Sequence, residues 1–143
     1  LREQYRIPFL LHEKEADNID LLEEEARLFG LPGIRRPEVD RWMTGGEQIS
    51  FGAGTLTVVH TPGHTTGSVC FQGPQMVFSG DTLFAGGYGR SDLPGGDEEA
   101  LRRSVAERLF ALDDNTIIYS GHGPSTTVLA EKQSNWIVKR QGR

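Results

Sequence analysis

The stretch Thr55-Leu56-Thr57-Val58-Val59-His60-Thr61-Pro62-Gly63-His64-Thr65 decides the reading of this chain. Its first six residues are rich in β-branched and aliphatic side chains and read as a strand. Pro62-Gly63 then ends that strand sharply, so the imidazole of His64 leaves from a loop. The same construction occurs twice more. Ser79-Gly80-Asp81-Thr82 follows a short apolar run, and Ser120-Gly121-His122-Gly123-Pro124 follows another. Two imidazoles and a carboxylate, each delivered by a loop at a strand end, are the donor types of a metal-dependent hydrolase. An aspartate at such a place can bridge two cations, because each oxygen can serve a different ion. His60 lies four residues before His64, but Pro62 and Gly63 break any helix that would pair them. His60 therefore belongs to the strand end.

Working outward, residues 47–51 and 55–60 form two β-like runs joined by Gly52-Ala53-Gly54, the signature of a hairpin. Residues 68–71 and 76–78 read as two more strands around Gly73-Pro74. Residues 84–96 carry no periodicity and read as a Gly-rich loop. Residues 97–110 read as a helix with Asp97 and Glu98 in its first turn and Leu101, Val105, Ala106 and Leu109 on its buried stripe. Residues 116–119 are a β-branched strand, and 124–136 run from loop into a short helix. Upstream, residues 7–11 read as a buried strand. Residues 17–30 read as a helix capped by Asp17 or Asn18, striped by Leu21, Leu22, Ala26, Leu28 and Phe29, and stopped by Gly30. The order mixes helices with a block of antiparallel strands, which predicts an α+β domain with helices against a sheet.

Composition bounds the rest. The 143 residues suffice for one domain with a core. The net charge of -5 argues against general nucleic-acid binding. No apolar run reaches the length of a membrane span, and a single cysteine, Cys70, rules out an internal disulfide. Cytoplasmic localisation, with no membrane or nucleic-acid partner, is the expectation. Cys70 alternates with apolar neighbours and reads as a buried, inert thiol. His12 reads as structural, and Trp42 and Trp136 as core or lid packing. In the Gly-rich loop Arg90 has two readings, a bidentate clamp on a substrate carboxylate or an ion pair with Asp92 or Asp97. Tyr88 reads as a residue lining the cleft or as packing.

The three His/Asp turns resemble the third, fourth and fifth motifs of the metallo-β-lactamase superfamily, and within it the glyoxalase II-like (hydroxyacylglutathione hydrolase) branch. Gly89-Arg90-Ser91-Asp92-Leu93-Pro94-Gly95-Gly96, and Pro124-Ser125-Thr126-Thr127 with Glu131-Lys132, strengthen the likeness, which runs from residue 7 to 136. The resemblance implies an αββα sandwich of which residues 1–143 form the C-terminal two-thirds. It also implies a dinuclear site of zinc, iron or manganese, with His64 on the first metal, His122 on the second and Asp81 between them. Arg90 and Tyr88 would face a small-molecule substrate, such as a glutathione thioester. The family's first metal motif, His-x-His-x-Asp-His, belongs upstream of Leu1. Without it each metal keeps one imidazole and a shared carboxylate. Two other activities stay open at this point: a mononuclear-iron persulfide dioxygenase, and a non-catalytic fragment or pseudoenzyme. Self-association is a further expectation.

Overall fold

The computed structural model describes residues 2–139. Its centre is a six-stranded sheet in the order β10-β9-β6-β5-β4-β3. The strands are β3 (Gln48–Phe51), β4 (Gly54–His60), β5 (Val69–Gly73), β6 (Met76–Gly80), β9 (Ile117–Ser120) and β10 (Thr126–Thr127). The hairpins follow their turn residues. Gly52 takes φ +53° between β3 and β4, and Gln75 takes φ +54° between β5 and β6. The sheet is not wholly antiparallel: β6 and β9 pair in parallel. A parallel pair needs a crossover, and residues 97–110 supply its helical part.

The register sorts the side chains by face. Val59 lies opposite Cys70, and Val77 opposite Ile118. These four point to one side and meet Leu83, Val105, Leu109, Val128 and Ile137 in the core. Each fully buried Leu, Ile or Val there contributes about 1.5–3 kcal/mol. The helices on this side are α3 (Glu98–Ser104), α4 (Val128–Ser134) and α5 (Trp136–Lys139). Asp97 caps α3 by accepting from the Ala100 amide at 2.9 Å, and Thr127 caps α4 through the Ala130 amide. The opposite face carries Phe78 and Tyr119, stacked at 5.6 Å and each about 40% exposed.

Several expectations change here. Helix α3 does not run on as an α-helix. It continues as a π-turn over Val105–Leu109, with the Phe110 amide donating to Val105 O at 2.9 Å. Ala106, expected on the buried stripe, is exposed, because it lies about 140° around the helix from the buried Leu101. The strand expected at 7–11 is β1 (Leu10–His12), paired in parallel with β2 (Arg41–Met43). After a short helix α1 (Arg2–Tyr5), helix α2 (Ala16–Leu28) lacks the Asp17 or Asn18 cap. The chain enters it through a 3₁₀ turn (Glu13–Glu15), and the Asn18 amide bonds Glu15 instead. Its apolar stripe is only partly used. Ile19 and Ala26 are buried, whereas Leu21, Leu28 and Phe29 stand exposed. Trp42 and Trp136 are not core residues, each being 42% exposed, and Trp136 packs instead on the ring of Tyr88. No helix among the described residues is long and apolar enough to cross a membrane.

The expected loop at 84–96 holds a small hairpin, β7 (Leu83–Phe84) with β8 (Gly87–Tyr88). Glu131 of α4 secures it. This carboxylate is only 2% exposed and accepts from the Gly86 amide (2.9 Å), Thr126 Oγ1 (2.7 Å) and Asn135 Nδ2 (2.6 Å). Asn135, fully buried, also donates to Gly87 O at 3.0 Å. A buried polar network holds its shape when every member is satisfied, and this one fixes the hairpin that leads to Tyr88 and Arg90.

Candidate metal centre

His64, Asp81 and His122 converge. Asp81 Oδ2 lies 3.6 Å from His64 Nε2, and Asp81 Oδ1 lies 3.3 Å from His122 Nε2. One carboxylate thus faces two imidazoles, one with each oxygen. The sheet creates this arrangement. β4 ends before Thr61, and Asp81 follows β6 directly. His122 sits two residues beyond β9, the parallel neighbour of β6, so the two turns leave the same end of the sheet. Gly80 takes φ +50° in the turn before Asp81. A Cβ at Gly121 would stand 2.5 Å from Asp81 Oδ1, so only glycine lets the His122 turn come this close.

The imidazole of His64 is aimed by its far side. Nδ1–H donates to Arg90 O at 2.7 Å, which leaves the Nε2 lone pair facing Asp81. That pattern sets the tautomer a metal ligand needs. His122 is more open, with its side chain 72% exposed and the Phe84 ring edge-on at 5.7 Å. The loop carrying His64 is held from β1 and its 3₁₀ turn. Glu15 accepts from Thr65 Oγ1 and from the Gly67 amide (2.7 Å), and Thr66 Oγ1 donates to Lys14 O at 2.7 Å. Nothing local in the sequence marks Glu15 for this task, because its partners lie about fifty residues away.

The donors fit divalent cations in kind. Ligands at about 2.0–2.2 Å from one ion lie about 3–3.5 Å from each other, close to the two separations observed. They fall short in number. Among the described residues no group of three or more His, Cys, Asp or Glu side chains surrounds one point. The chain provides two half-sets joined at Asp81.

Arg90 and Tyr88 flank this region. The Arg90 guanidinium binds both oxygens of Asp92, at 2.8 and 2.9 Å, so its ion-pair reading describes the geometry. That hydrogen-bonded pair pulls the Asp92 carboxyl down to about 2 and raises the guanidinium. Tyr88 donates to Glu98 at 3.2 Å and packs its ring on Trp136 at 4.0 Å. Both residues line a cavity of about 340 Å³, which adjoins the centre through Gly89. Cys70 is buried, and burial pushes its thiol up, away from the reactive thiolate.

His12 stacks on His60 at 4.2 Å, nearly parallel, and accepts from the Lys14 amide. Burial, then the His60 charge, lowers its pKa from 6.5, with Lys14 adding a little and Glu13 and Glu15 opposing. The folded chain therefore resists a proton that the unfolded chain takes below pH 6.5. Stability should fall as pH drops through that value and stay level above it. Urea midpoints at pH 7.5 and 5.5 will show the drop, and His12→Phe will shrink it.

Comparisons place this geometry in context. The chain is 39% identical over 142 residues to the probable metallo-hydrolase YqgX of Bacillus subtilis, covering 94% of this chain and 65% of the relative. It is 41% identical over 127 residues to the hydroxyacylglutathione hydrolase GloC of Haemophilus influenzae, covering 87% and 60%. The chain thus spans about two-thirds or less of these relatives' length. The crystal structure of TTHA1623 in a di-iron-bound form superposes with a TM-score of 0.82 at 39% identity, covering 94% of this chain and 66% of that one. The family model of the metallo-beta-lactamase superfamily matches residues 1–122, a span that includes His64, Asp81 and His122. With most of its length matched by that model and its α+β fold shared with a solved relative, the chain belongs to the metallo-β-lactamase superfamily.

Proposed function

We propose that this chain carries the shared-carboxylate half of a dinuclear metallo-hydrolase centre of the glyoxalase II-like type, acting on a thioester or related carbonyl. One observation carries the reading: the two oxygens of Asp81 face two different imidazoles, at 3.6 and 3.3 Å. His64 and Asp81 Oδ2 would hold one cation, and His122 and Asp81 Oδ1 a second. Zinc, iron and manganese all suit this donor set. Bound cations supply Lewis acidity and lower the pKa of water to near ~7.

The chain's own residues prepare the place. Arg90 O fixes the His64 tautomer by accepting from Nδ1–H. Asp81 holds its two oxygens toward opposite partners, with Gly121 and Gly89 packed against it. The cavity beside Tyr88 and Trp136 gives a small substrate a wall next to the reacting point. The GloC relative makes a glutathione thioester the first substrate to try.

The test is metal analysis and S-lactoylglutathione hydrolysis on the full-length gene product. Two equivalents of metal per chain and turnover that a chelator abolishes are expected. A product that takes up no divalent metal, or that binds metal yet cleaves no thioester, overturns the proposal.

A further inference from the structure

A larger cavity, of about 510 Å³, lies away from the metal-type residues. Its walls are the end of β4, the backbone of Gly45 and Gly46, and the outer face of α3 and its π-turn. Arg103 and Arg108 line it, and so does Glu107. The local balance is therefore +1, from two cations and one anion, in a chain of net charge -5. Arg27, Arg36, Arg41, Arg90 and Arg102 are each paired with a carboxylate. Among the described residues neither Arg103 nor Arg108 has a side-chain hydrogen bond or ion pair.

The π-turn makes their neighbourhood possible. Five residues along an α-helix turn about 140° away from the starting side chain. The wider Val105–Leu109 turn closes an i→i+5 bond and brings positions 103 and 108 to one wall. Such turns recur at functional sites, and nothing at the metal centre uses this one. On the β4 side the wall is the largely apolar Val58–Val59 and Pro62 segment, with His60 beside it. Two arginines on the wall of a small-molecule-sized cavity bring forked donors that suit an anion with several oxygens.

We propose that this cavity binds a phosphorylated small molecule, with its phosphoryl group on Arg103 and Arg108 and its body on the Val59–Pro62 wall. The site does not depend on the hydrolase reading. Ser104 Oγ, on the same wall, donates to Pro62 O at 2.8 Å. An occupant therefore sits behind the turn that presents His64.

Calorimetric titration of the metal-stripped chain with inorganic pyrophosphate tests this. Saturable one-to-one binding is expected, weakened about tenfold or more in Arg103→Ala/Arg108→Ala. The charge-matched Arg27→Ala/Arg36→Ala should bind as the parent does, and Glu107→Gln should bind more tightly. Citrate should bind more weakly than pyrophosphate. The proposal falls if the parent shows no saturation, or if both double variants lose affinity equally. It also falls if citrate binds as tightly, which would assign the cavity to carboxylates. Circular dichroism will confirm that these exposed substitutions leave the fold intact.

Discussion

On the proposed assignment, Asp81→Ala will abolish thioester hydrolysis by the metal-loaded protein, with a loss of about a thousandfold or more in kcat/KM. That exceeds the 10–100-fold typical of losing an outer partner, because Asp81 alone serves both imidazoles. On that assignment its removal takes one donor from each cation at once, so the metal content should fall together with the rate. Asp81→Asn is the sharper variant. It keeps the shape but offers one oxygen in place of two, so occupancy on one side should suffer more than on the other. Metal analysis of each variant beside its rate separates loss of metal from loss of chemistry. Retained turnover in Asp81→Ala would sink the assignment.

Gly63→Ala should cost about 3 kcal/mol or more of stability, a fall of about 10 °C in Tm for a domain of this size. Two independent costs coincide there. Gly63 has φ +139°, which an L side chain rarely adopts, and an added Cβ would lie 2.3 Å from both Leu101 N and Cα. Leu101 is fully buried at the start of the crossover helix and cannot retreat. The Asp97 amide also donates to Gly63 O at 2.8 Å, so the turn is tied to the helix on both sides. The neighbour, His64, would be displaced with it. Thermal unfolding measures the first effect and metal affinity the second. A substitution at Gly52, which shares the positive φ but has an open Cβ position, should cost less.

Much of this was legible in the chain itself. Strands β3 to β6, β9 and the crossover helix carry their own local signals: alternation, turn glycines and the Asp97 cap. The three loop tips were legible because each couples a metal-type side chain to a glycine turn. The π-turn was not, since Val105, Ala106 and Leu109 satisfy an ordinary helical pattern; the wider turn is decided by packing. The exposure of Leu21, Leu28 and Phe29 was also hidden, because periodicity marks an apolar stripe without showing what covers it. Glu15 and Glu131 read as ordinary charged residues. Their roles arise from partners forty-five to fifty-two positions away.

One irregularity of the sheet limits how this domain can vary over evolution. Between Phe78 and Gly80 the β6–β9 register slips by a single residue at Ser79, whose hydroxyl turns inward to Leu83 O. That slip sets the phase with which Asp81 leaves the sheet, because strand side chains alternate faces with every position. A one-codon insertion or deletion within β6 would therefore turn the carboxylate away from both imidazoles while leaving composition almost unchanged. Codons gained or lost at the exposed tip around Gly52 and Ala53, between β3 and β4, shift no such phase. Natural length variation should accordingly gather at the tip and stay out of the strand.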